Sequence, residues 1–172
     1  MVDHSENALR AVVKSLRDVI GPAVDPQDPL AQQELALSIG YLEFLRDRLP
    51  EMHTRARFEL MQILRTAQAV REHRLDDVVL SKLIADSLRI LADPSVSTAS
   101  LQSLTADVSA QVASIVRVGG TKGREVELEV VECSAERVGF ERAWHLPMGF
   151  DPDPASAPTI AAAVAAVEKP SS

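Results

Sequence analysis

Apolar residues recur three or four apart along most of this chain, and the pattern breaks wherever proline or glycine clusters. Leu9, Val12, Val13, Leu16, Val19 and Ile20 share one face, with Arg10, Lys14, Arg17 and Asp18 opposite. That spacing predicts an amphipathic helix from about Ser5 to Ile20, with Ser5 as its N-cap. Pro22, Pro26 and Pro29 then fall within nine residues. No helix crosses such a segment, because proline lacks the N–H and crowds the preceding turn.

A second helix is predicted from Pro29, capped by Asp28. Its stripe is Leu35, Ile39, Leu42, Leu45 and Leu49, widened by Tyr41 and Phe44. Pro50 ends it and opens a third, whose apolar face is Ala56, Leu60, Ile63, Leu64, Ala67 and Val70. With almost no loop at Leu49-Pro50, these two helices form an antiparallel hairpin or one kinked rod, and the hairpin is expected. Asp76 or Asp77 caps a fourth helix through Val79, Leu80, Leu83, Ile84, Leu88 and Leu91. Ser95 or Ser97 caps a fifth, through Leu101, Leu104, Val108, Val112 and Ile115. Gly119, Gly120 and Gly123 close it, glycine being favoured where a helix ends in a left-handed turn.

Residues 124–144 allow two readings. Glu125–Val130 alternates with period two, as a strand does. Leu128, Val131, Ala135 and Val138 also form a helical stripe beside Val130, Cys133 and Phe140. A lone strand has nothing to pair with, so a sixth helix is the expectation, ended by Pro147. The segment from Gly149 to Pro158 reads as a Pro- and Asp-rich linker. The alanine-rich tail after it has high helix propensity and little apolar bulk, so it docks weakly or is disordered. The fold class is therefore all-α: an antiparallel helical bundle of four to five main helices in residues 1–146, with an irregular, partly extended segment in 147–172.

Composition narrows the function classes. Hydrophobic residues are 46% of the chain and aromatics 3%, which suits helix-on-helix packing of small side chains. Net charge is -7, whereas a nucleic-acid binder needs a basic surface to displace counterions from phosphates. Nucleic acid is thus not an expected partner. Cys133 is the single cysteine, which excludes an internal disulfide and a zinc site built on several cysteines. No apolar run reaches the length of a membrane span, so a cytoplasmic protein without a membrane partner is expected.

Catalytic signatures are absent. Gly119–Gly123 lacks the spacing of a phosphate-binding loop and reads as an inter-helix connection. None of His4, His53, His73 and His145 has a Glu three residues before it, the spacing that aims both groups at one metal. Neither a metal nor a cofactor is expected. Cys133 reads as a small core residue, and an enzyme role is less expected than a binding one.

Two features could carry function. Arg46, Arg48, Arg55 and Arg57 flank the Leu49-Pro50 turn, and Arg71 and Arg74 end the third helix. Helix C-termini attract cations, which gives Arg46, Arg48, Arg71 and Arg74 an ordinary role; guanidinium clusters also bind carboxylate or phosphate, making all six candidates for an anionic small molecule. The aromatic segment is the stronger lead. Phe140 and Trp144 lie four apart on one helical face, and Leu146, Met148 and Phe150 continue the apolar string past Pro147. Such a string either covers the end of its own bundle or anchors in a protein partner. The expected function is a non-catalytic assembly or accessory subunit acting through protein–protein contacts, self-associating or within a larger complex. The alternative is an enzyme or small-ligand binder holding an anion in a bundle pocket, with Glu43, Glu59 or Asp86 as acid/base candidates.

Overall fold

The computed structural model describes residues 4–73, 77–118, 123–133 and 135–168. Among them there is no strand, and the chain is all-α. Among the described residues eight α-helices follow in order: α1 (Ser5–Ser15), α2 (Pro29–Arg48), α3 (Met52–His73), α4 (Val78–Ala92), α5 (Thr98–Val118), α6 (Gly123–Cys133), α7 (Ala135–His145) and α8 (Ile160–Glu168). They fall into two compact units. The first is Met1–Met52 with Pro147–Asp151, and the second is His53–Leu146 with Pro152–Ser172.

The first unit is a helix pair. α1 packs on α2, and Arg17 donates to Glu43 at 2.8 Å across the pair. α1 starts one residue earlier than its expected cap: His4 occupies the N-cap and Ser5 is already helical. Its last turn, Leu16–Ile20, widens so that the Gly21 N–H reaches the Leu16 carbonyl. The widening immediately precedes Pro22, which has no N–H with which to continue the regular ladder. Asp28 caps α2 as expected, accepting from the Ala31 N–H at 3.0 Å. Among the described residues of this unit only Val13 and Phe44 are buried apolar side chains.

The second unit holds the main core. Ala56, Leu60, Leu64, Ala67 and Val70 of α3 meet Leu80 and Ile84 of α4 and five residues of α5. Those five, Leu101, Leu104, Val108, Val112 and Ile115, form the stripe that their spacing predicts, and all are buried. Asp77 caps α4, accepting from Leu80 N–H at 2.8 Å. Its other carboxylate oxygen takes a bond from Gln111 of α5 at 2.9 Å. Ser97 caps α5 by accepting from Ser100 N–H at 3.0 Å. Asp93 accepts from both the N–H and the hydroxyl of Ser95 in the connection between α4 and α5. Those two bonds, with Arg57 nearby, hold its carboxyl below the usual carboxylate range.

The strand alternative for 125–130 is overturned, since that stretch lies inside α6. Isolated strands leave their N–H and C=O groups unpaired, whereas a helix satisfies them internally. The expected stripe nevertheless faces outward: Leu128, Val131 and Val138 are exposed. Val130 packs on the main core instead. The tail forms α8, which packs on α7 and buries Ala163.

Candidate interaction surface

The aromatic string divides between the two units. Phe140 stacks on Phe58 with ring centroids 3.9 Å apart, and Trp144 follows at 6.0 Å. Both Phe140 and Trp144 are buried. Over the indole, 4.6 Å from its centroid, lies the guanidinium of Arg55, which also binds Glu59 at 2.8 Å and Glu141 at 3.0 Å. A charge this enclosed is stable because two carboxylates and an aromatic face surround it. Phe58 was the residue that sequence reasoning missed. It lies about half a turn away from the predicted stripe of α3, and so does buried Gln62, so α3 is covered on more than one side.

Leu146 and Met148 are half-buried, and Gly149 turns the chain with a φ of 75° that suits glycine. Phe150 then stands 77% exposed. Met148 belongs to the first unit, where it lines an apolar depression with Leu37, Ser38, Tyr41 and Leu42 of α2.

That depression lies on an unusual face. Leu30, Leu37, Tyr41 and Leu45 follow spacings of seven, four and four, which makes one stripe along α2. They are 67%, 51%, 54% and 37% exposed. Leu35, Ile39 and Leu42, by contrast, are half-buried, on the side of the helix that carries the ion pair to Arg17. Tyr41 and Leu45 therefore do not belong to the inward stripe in which the sequence placed them. α2 is apolar on two sides; on the outer one Leu30, Leu37, Tyr41 and Leu45 stay exposed, while Phe44, seven residues after Leu37, is buried.

Arg46, Arg48 and Arg57, like Arg55, have local contacts. Arg46 is paired with Asp47 at 2.8 Å, which raises its pKa further, and Arg48 lies over the Phe44 ring at 5.8 Å. Arg57 donates to the Leu91 carbonyl at 2.6 Å, closing the C-terminal end of α4. Arg46 and Arg48 belong to the first unit, and Arg55, Arg57 and Arg71 to the second. Arg74 lies outside the described residues, as do residues 119–122 of the glycine-rich connection.

The acid/base candidates stand apart. Glu43 pairs with Arg17 in the first unit, Glu59 with Arg55, and Asp86 with Arg89 on α4. Glu59 lines a cavity of about 270 Å³ with Phe58, Gln62, Val112, Cys133 and Arg137. Among the described residues no cluster of His, Cys, Asp and Glu could hold a metal ion. None of the helices, over those residues, is long and apolar enough to cross a membrane.

Comparison with known protein families, with characterised proteins and with solved structures finds no match.

Proposed function

We propose that this protein is a non-catalytic helical assembly or accessory subunit of the cytoplasm, acting through protein–protein contact at the outer face of α2. One observation carries the reading: Leu30, Leu37, Tyr41 and Leu45 form an exposed apolar stripe on a helix whose other side already packs on α1. Single exposed leucines are ordinary, but an aligned set of large apolar side chains marks a contact surface. A helix pair that buries only Val13 and Phe44 among its described apolar residues also has little core of its own, and short helices gain their stability from packing. Of the segment after Pro147, Met148 borders this stripe and Phe150 is exposed beside it in sequence. Met148 extends the surface, whereas Phe140 and Trp144 are buried beside Phe58 of α3.

The alternative, a small-ligand binder, has the cavity beside Glu59 and Arg137 as its site. It ranks second because Glu59, one of the charged groups lining that cavity, is already paired with Arg55.

Photo-crosslinking residues placed at Leu37, Tyr41 and Leu45, in the cells that make the protein, test the proposal. A discrete adduct from these positions, absent when the probe replaces exposed Leu88 of α4, is the expected result. Adducts no stronger than those from position 88 would remove the surface from consideration.

A further inference from the structure

We infer that the outer face of α2 pairs with the same face of a second copy, the two helices running antiparallel about a two-fold axis at Tyr41. This rests on the contact surface proposed above and adds its partner and register. The stripe is chemically self-complementary about its centre. Leu37 and Leu45 lie four residues to either side of Tyr41, and Glu34 and Arg48 lie seven to either side. Seven residues make about two helical turns, so the flanking charges stay close to the same line as the tyrosine.

In an isologous interface, residue i of one copy meets j of the other while j meets i. Antiparallel pairing centred on Tyr41 sets each Leu37 beside Leu45 of the second copy, and each Glu34 beside Arg48. One sequence pattern thus supplies two apolar contacts and two ion pairs. Parallel pairing in the same register would set Glu34 against Glu34 and Arg48 against Arg48, which like-charge repulsion disfavours. The charges therefore select both the partner and its direction.

The result joins two helix pairs so that each outer stripe is covered by its copy.

Charge exchange in the full chain tests this by sedimentation velocity. Wild type is expected to be dimeric. Glu34→Arg and Arg48→Glu alone each set like charges together twice per dimer, and each should raise the dissociation constant about tenfold or more. An equimolar mixture of the two variants restores both ion pairs, and so does the double variant; both should return to near wild-type association. That rescue cannot come from misfolding, because two damaged chains would not repair each other. Dimers that are lost in Tyr41→Glu but indifferent to the charge variants would overturn the register and leave the contact surface standing. A monomeric wild type whose α2 face crosslinks to a different protein would overturn self-pairing alone. A monomer with no adduct from that face would overturn both.

Discussion

At the scale of single residues, burial decides which aromatic groups can meet a partner. Trp144 is 4% exposed and lies between Phe140 and the Arg55 guanidinium. Trp144→Ala should therefore cost about 3–5 kcal/mol of stability, as truncation of a buried aromatic does. Urea unfolding measures this, and an unchanged midpoint would show that the indole is not core. Asp93 provides a second check. Its carboxyl is held low by the Ser95 N–H and hydroxyl, so Ser95→Ala should move its titration up toward an ordinary aspartate, followed by NMR. A depressed folded-state pKa stabilises the fold above the unfolded-state value and is lost as pH falls through the folded one. The stability difference between wild type and Ser95→Ala should accordingly shrink in acid. An Asp93 titration identical in the two proteins would refute that assignment.

At the scale of elements, caps and stripes explain what the sequence made readable. α3 and α5 were legible because one stripe of each enters the core, and the caps at Asp28, Asp77 and Ser97 because short polar side chains precede those helices. Asp77→Ala should destabilise the second unit by about 1 kcal/mol, with the bond to Gln111 lost as well. Thermal unfolding would show it. α2 was not legible in the same way. With leucines on two sides, periodicity cannot say which side is inside, so Tyr41 and Leu45 were placed inward and are exposed. α6 fails for a related reason: its obvious stripe through Leu128 and Val131 faces out while Val130 packs inward. Phe58 was hidden because its partner Phe140 lies far away in sequence.

At the scale of the whole molecule, the two units differ in what they can do alone. The second has a continuous core drawn from α3, α4 and α5. The first has Val13 and Phe44 as its described buried apolar residues, so under the proposed pairing much of its packing comes from the second copy. In Tyr41→Glu, amides of α1 and α2 should lose hydrogen-exchange protection while those of α5 keep theirs. Equal loss in both units would mean that the substitution disturbs folding generally. The most direct measurement places a cysteine on the proposed axis, in a Cys133→Ser background that removes the native thiol. A residue on a two-fold axis lies beside its own copy, so Tyr41→Cys should form a covalent dimer on mild oxidation or with a short thiol linker. Ala36→Cys, exposed on a different side of α2, should remain monomeric under the same treatment. Efficient crosslinking at position 41 alone is the predicted result; no crosslink there, or equal crosslinking at position 36, would contradict the account.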